Sequence, residues 1–423
     1  MRRLAALVIV VALGAAACGG SSAGAPRTMT GTLAIAAFNP FSGQFADFGP
    51  EQYAGCYAAV QLINRAGGVL GHSLNCLKVD SQGEPAAGEL AARKMLASTP
   101  NLVAVLGPSS GEALVTVPLI NRARVPMFPD AGQGAFDRSS YPYLWRMIAS
   151  DDAAGYAMAI WAHKQGYRRG AALFGSDDQA TVPTLLKGFE QLGGGIVINQ
   201  LLGEGKASYA AEVDAVLQAK PDVIFTEVNA EAGAAFLSEL VKRHAPIPIV
   251  GTQVTLQPGW FEAVSKAIGP EVLAKSFVAL EPYAPPQGRP WEIFNDALLA
   301  SGSEVPNPGQ WSTDPYTISD YDSVTIVALA IMAAGSADPA VFNPYVRTVT
   351  TRGMDTVEVH SYAEGLTGLA SGHPIQYVGP SGPIAFDKWQ NAPGGFSVAV
   401  YDPSGATKLI ESITASAIGE LSR

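Results

Sequence analysis

The sequence predicts an α/β protein in which two parallel sheets, each covered by helices on both faces, are built one after the other. Three observations predict it. From Thr32 onward, short apolar runs of strand length alternate with longer helix-length stretches, the cadence that parallel sheets require because their crossovers are helical. That cadence restarts after Asp151. With 423 residues, 48% of them hydrophobic and 15% charged, the chain can form two or three domains of about 150 residues and is apolar enough to fill their cores.

In chain order, Arg2 and Arg3 precede an apolar run from Leu4 to Ala17 that ends in Ala15, Ala16 and Ala17, ahead of Cys18. At about 14 residues this run is too short to cross a bilayer, which takes roughly 20, and it reads as the core of a signal peptide over 1–17. A cysteine directly after such a site resembles the lipobox of bacterial lipoproteins, with Cys18 as the lipidated N-terminus and Ala15 where a large aliphatic residue is usual. Residues 18–30 are mostly Gly, Ser, Ala and Thr, which cannot bury an apolar face and read as a flexible tether. No later apolar run reads as long enough to span a membrane.

The first cadence runs strand Thr32 to Phe38, helix Glu51 to Arg65 stopped by Gly67 and Gly68, strand Leu74 to Val79, helix Glu89 to Leu96, strand Leu102 to Leu106 and helix Glu112 to Arg122. The second begins with helix Ala153 to Gln165. It continues with strands Gly170 to Phe174, Ile196 to Leu201, Val223 to Thr226 and Pro248 to Gly251, separated by helices Thr184 to Leu192, Ala210 to Gln218 and Ala230 to Arg243. Beyond it come two Pro- and Gly-rich stretches, a helix from Asp320 to Ala334, and two β-like runs, Pro383 to Phe386 and Phe396 to Tyr401. No fixed-period repeat is visible, which disfavours a solenoid or propeller.

A formal charge of −10 opposes binding to nucleic acid. His72, His163, His244, His360 and His373 are scattered without ligand spacing, so neither a metal site nor a cofactor is expected. Cys56 on the first helix and Cys76 on the second strand meet in one βαβ unit. A disulfide between them and a pair of buried free thiols both remain open.

Phe41-Ser42-Gly43 with Phe48-Gly49, Ile63-Asn64 with Gly67 to Gly71, Asp80-Ser81, Gly107-Pro108-Ser109-Ser110, Val125-Pro126, Tyr321 to Val324 and Gly379 to Asp387 stand in this order along nearly the whole mature chain. Together they resemble the type I periplasmic binding proteins, specifically the leucine/isoleucine/valine-binding family of ABC importers with its amide and aromatic-acid binders. The resemblance implies two Rossmann-like lobes joined by a hinge that the chain crosses three times. Lobe 1 would be 31–148 with 283–375, and lobe 2 would be 149–282 with 376–423. It also implies an extracytoplasmic solute-binding protein that hands its ligand to an ABC permease, touches the membrane only through its lipid, and is not an enzyme.

The resemblance places ligand contacts on the turn Ser109-Ser110, which opens a helix and also fits a capping box with Glu112. Phe48 would line the cleft. Gly132 stands where the family carries a carboxylate-holding threonine, after Asp130 and Ala131. Ala180, Asn229 and Gln253 stand where it carries a tyrosine, a second aromatic and an ammonium-binding acid. The expected contacts are therefore Phe48, Ser109, Ser110, Asp130, Ala131, Asn229 and Gln253, with Tyr209, Trp260 and Tyr283 as further wall candidates. A pocket without the threonine and the acid suits a small polar ligand other than a simple branched-chain amino acid: an amino acid derivative, an amide, a urea-like compound or an organic acid.

Two rival readings exist. Gly107 to Gly111 matches G-x-S-x-G, the nucleophile elbow of α/β-hydrolases, with Ser109 as nucleophile and His360 or His373 as base, although it follows the third strand rather than the fifth. A ligand-sensing receptor domain of the same fold is the other, and the sequence shows no signalling segment to accompany it.

Overall fold

The computed structural model of the chain describes residues 29–422 apart from 44, 176–180, 204, 207, 245–246, 283–287 and 393, and the side chain of Ser110. The leader, Cys18 and most of the tether therefore lie outside the described residues.

Four strands, β1 (Leu33–Asn39), β2 (Leu74–Asp80), β3 (Leu102–Ser109) and β4 (Met127–Asp130), form a parallel sheet in the order β2-β1-β3-β4. The second sheet is larger. Its parallel part contains β5 (Arg169–Phe174), β6 (Gly195–Leu201), β7 (Val223–Glu227), β8 (Ile249–Thr252) and β9 (Phe277–Pro282). After a small sheet of β10 (Val357–Val359), β11 (Ile375–Gly379) and β12 (Gly382–Pro383), the chain adds β13 (Phe396–Tyr401) antiparallel to β9 and β14 (Thr407–Ile413) antiparallel to β13, giving β14-β13-β9-β8-β7-β5-β6. Each large sheet buries apolar side chains on both faces: Ile35 and Leu106 on one side of the first, Ala36 and Val105 on the other. This two-faced burial is what the near-continuous apolar runs of β1 and β3 encode.

The helix expected from Asp320 starts earlier, spanning Pro315–Ala334. Asp314 caps it by accepting from Thr317 N at 2.7 Å, and Pro315 occupies the first turn, where a missing N–H costs nothing. The helix is long and apolar enough to cross a membrane, contrary to the expectation of no such run, but it is 83% buried as the central helix of the first lobe. It crosses the helix Phe48–Arg65 at Gly55, where an added Cβ would stand 2.0 Å from Thr317 O. Thr317 Oγ1 donates to Glu51 O at 2.8 Å in the same crossing.

Cys56 and Cys76 are joined, with Cα atoms 6.1 Å apart, so the bridge holds and the free-thiol alternative does not. The crosslink ties the helix Phe48–Arg65 to β2 across a separation of 20 residues, a loop whose closure stabilises by about 3 kcal/mol in the chain-entropy model.

The last passage between lobes falls later than the expected residue 375. Tyr377, Ile384 and Phe386 are buried in the first lobe's core, whereas Phe396 and Val398 are buried in the second's. Of the β-like run Pro383 to Phe386, only Pro383 pairs, with Val378 across a tight hairpin.

Candidate functional site

A cavity of about 280 Å³ opens between the two sheets. The first lobe supplies Pro40 after β1, Ser109 at the end of β3 and Asp130 at the end of β4; the second supplies Glu227 at the end of β7 and Gln253 after β8. All leave the carboxyl ends of parallel strands, where open α/β sheets leave a crevice. Asp151, at the start of the helix that follows the first passage between lobes, and Tyr316, at the start of the first lobe's central helix, complete the wall.

The first-lobe loops are held by carboxylates. Asp80 accepts from Phe41 N at 2.9 Å, Ser42 N at 3.2 Å, Ser42 Oγ at 2.6 Å and Gln82 N at 3.0 Å. Partial burial works against its charge, but these donors outweigh it and hold the carboxyl below its ordinary value. Phe45 and Phe48, whose rings meet at 6.3 Å, are thereby set as an apolar wall. Ser109 and Glu112 form the expected capping box, with Ser109 N donating to Glu112 Oε1 at 3.1 Å. Glu112 is wholly buried, and burial pushes it up to about 7 against bonds from Ser81 and Ser109.

Gly132 explains the missing threonine. An added Cβ there would stand 1.8 Å from Asp151 Oδ1, and Asp151 N donates to Gly132 O at 2.7 Å. A carboxylate therefore fills the space where the resemblance places a hydroxyl side chain. Burial pushes Asp151 up to about 6; Arg146 pulls it down, while Asp137 and Asp152 push it up.

Of the expected contacts, Phe48, Ser109, Asp130 and Gln253 line the cavity. Ala131 does not, being wholly buried in the core beside the first sheet. Asn229 does not either: its Oδ1 accepts from Ala232 N at 2.9 Å as the cap of the helix Ala230–Lys242, so its side chain serves the backbone. Ala180 and Tyr283 lie outside the described residues, as does the side chain of Ser110. Tyr209 and Trp260 are core residues, Trp260 donating to Val228 O at 3.1 Å. The lining residues that escaped sequence reasoning include Phe45, Gln52, Glu84, Asp151, Glu227 and Tyr316. Glu227 directly follows the expected strand Val223 to Thr226 and ends the observed one, two positions before Asn229.

The wall is acidic. Glu84, Asp130, Asp151 and Glu227 line it, and among the described residues no Lys, Arg or His does. Burial raises Asp130 well above the ordinary carboxylate range, helped by the charges of Asp314 and Glu112. Asp130 Oδ2, Gln52 Oε1 and Gln253 Nε2 have no hydrogen-bond partner among the described residues. Ser109 Oγ, the nucleophile of the hydrolase reading, lies 3.4 Å from Asn39 Oδ1, while His360 Nδ1 sits 2.9 Å from Val378 O in the small sheet.

A family model described as periplasmic binding protein matches residues 32–359. The Leu/Ile/Val-binding protein BraC3 of Rhizobium johnstonii is 24% identical over 314 residues, 73% of this chain and 81% of that protein. Among solved structures, the leucine-binding protein LivK of Thermotoga maritima superposes with a TM-score of 0.70 at 18% identity, covering 90% of this chain and 99% of that one. A solute-binding protein of an ABC transporter from R. palustris, in complex with benzoate, gives 0.69 at 17% identity, covering 91% and 97%.

Proposed function

The chain belongs to the periplasmic binding protein family and is an extracytoplasmic solute-binding protein; on that premise, we propose that it captures a small polar ligand in the cleft described above and delivers it to the permease of an ABC importer. The observation that carries the reading is a cavity walled from both sheets at the carboxyl ends of their strands. Proteins of this fold differ in what they hold, benzoate in the R. palustris neighbour and leucine by name in the Thermotoga one, so the side chains of the cleft decide the ligand. Its contacts are Phe48, Ser109, Asp130 and Gln253, joined by Gln52, Asp151, Glu227 and Tyr316. The division that goes with this reading is lobe 1 from 31 to 148 and from 283 to the stretch after Phe386, with lobe 2 the remainder.

A thermal-shift screen of amines, amides, amino acids, aromatic acids and sugars tests the site. A ligand at 100 times its dissociation constant stabilises the folded state by about 2.7 kcal/mol. The shift should vanish in Gln253→Trp, which fills the cleft; a shift undiminished in that variant would place binding elsewhere.

Cys18 is proposed as the lipidated N-terminus that keeps the protein at the membrane, supported by the apolar run and the three alanines before it. Cys18→Ser should move the protein from the membrane fraction to the soluble one. Retention of the variant on membranes counts against the anchor.

A further inference from the structure

We infer, resting on the reading of this cleft as the ligand site, that the ligand is a small organic cation with several N–H donors and one neutral acceptor, and that it carries no carboxylate. Charge comes first. Glu84, Asp130, Asp151 and Glu227 face the cavity, with no basic side chain in the described wall. The buried guanidinium behind them, Arg146, is already bound: Nε donates to Asn391 Oδ1 at 2.9 Å, Nη1 to Gly132 O and Gln133 O at 3.3 and 3.2 Å, and Nη2 to Asp137. A ligand carboxylate would find no counterion here, while an ammonium or amidinium would draw these carboxyls to ionise and form charge-assisted hydrogen bonds with them.

The unpartnered groups define the rest. Asp130 is 6% exposed and Gln52 1%, and each leaves an acceptor oxygen without a partner. Gln253, 8% exposed, leaves an amide donor, Nε2, without one. Buried polar groups that lack partners are costly to leave unpaired. A ligand that donates twice toward the first lobe and accepts once from the second satisfies all three groups. Phe45, Phe48 and Tyr316 add aromatic rings to the same wall, and an aromatic face favours a cation over an anion. The decisive position is Gly132. Where the resemblance puts a hydroxyl that would hold a carboxylate, this chain packs the Asp151 carboxyl against a bare backbone.

Titration calorimetry at neutral pH, with matched sets built on one skeleton, tests the inference: leucinamide and phenylalaninamide, the parent amino acids, and the corresponding acids without the amine. The amides should bind at least about tenfold more tightly than the amino acids, and the acids not at all. Asp130→Asn, which cannot ionise to meet a cation, should weaken the amides by about tenfold or more while leaving the melting temperature of the free protein unchanged or higher. Asp151→Asn is the second variant should the first not fold. If amino acids or acids bind as well as the amides and Gln253→Trp abolishes that binding, the cation inference fails and the cleft reading stands. If the amides bind with affinity unmoved by both charge-removing variants, it fails as well. Binding that persists in Gln253→Trp, or no binding by any of the three sets, overturns the inference and the cleft reading together.

Discussion

Replacing Arg146 with methionine is expected to lower the unfolding free energy by about 3–5 kcal/mol, the cost typical of breaking a buried charged network from one side. Arg146 is 2% exposed, and its guanidinium joins the stretch from Gly132 to Asp137 to Asn391, 245 positions away. It donates to Asn391 on the last passage between lobes, to Gly132 O and Gln133 O on the cleft loop, and to Asp137. Its backbone is part of the same joint, with Arg146 N donating to Gln390 O at 2.9 Å and Ala392 N to Arg146 O at 2.8 Å. Methionine fills part of the volume but leaves the Asn391 side-chain oxygen and the Asp137 carboxylate without their donor, and Gly132 O and Gln133 O with only the backbone donors Asp151 N and Phe136 N. Lysine should restore little, because an ammonium cannot reach these acceptors as a planar fork does. Urea unfolding measures the loss. Ligand affinity should fall alongside stability, since the Gly132 loop is both a wall of the cleft and a client of Arg146. A loss below about 1 kcal/mol would show that the network is replaceable by packing alone.

The parts of this molecule legible in its sequence share a physical origin. The inner strands of the first two-thirds are buried on both faces, so each left a short apolar run: β1 is buried at all seven positions and β8 at all four. The strand β14 was missed. Its residues alternate exposed and half-buried, Thr407 to Ile413, and its helical neighbours are short, so no cadence announced it. The helix start at Asp314-Pro315 had a cap signature that was read only as loop punctuation. In the site, the resemblance led to Gln253 and Asp130 but put Asn229 where Glu227 belongs, because a residue that caps the next helix and a residue that ends the strand lie two apart. Asp151 could not be foreseen from spacing. It reaches the cleft only because Gly132, 19 positions earlier, leaves room for its carboxyl.

The free protein is expected to lose stability as pH rises from about 5 to about 8, the reverse of ordinary acid denaturation. The cause is a set of buried carboxyls whose native state holds the proton more tightly than the unfolded state does. Burial raises Glu51, Asp130 and Asp320 well above the ordinary range, Glu112 to about 7 and Asp322 to about 6. Their neighbours reinforce this: Asp314 acts on Glu51, Asp130 and Asp320, and Glu112 acts on Asp130. For a carboxyl raised on folding, the unfolded chain gives up its proton first, so stability falls across the interval between the two values and levels off above the native one. Glu112, moving from 4.5 to about 7, alone corresponds to about 3 kcal/mol over that interval, since one proton changes stability by about 1.4 kcal/mol per pH unit. Asp80 has the opposite sign, its value lowered in the folded state, so its contribution is lost only in acid, below this window. Urea unfolding at a series of pH values between these limits should show the decline. Glu112→Gln, which keeps an acceptor for Ser109 N but cannot ionise, should remove about one proton's share of the slope. A stability that climbs with pH, or a variant whose slope matches the parent's, would mean these carboxyls are ionised in the native state without cost. A cationic ligand adds a second reading of the same measurement: by holding Asp130 and Asp151 ionised in the folded state, it should make the decline shallower at saturation than in the free protein.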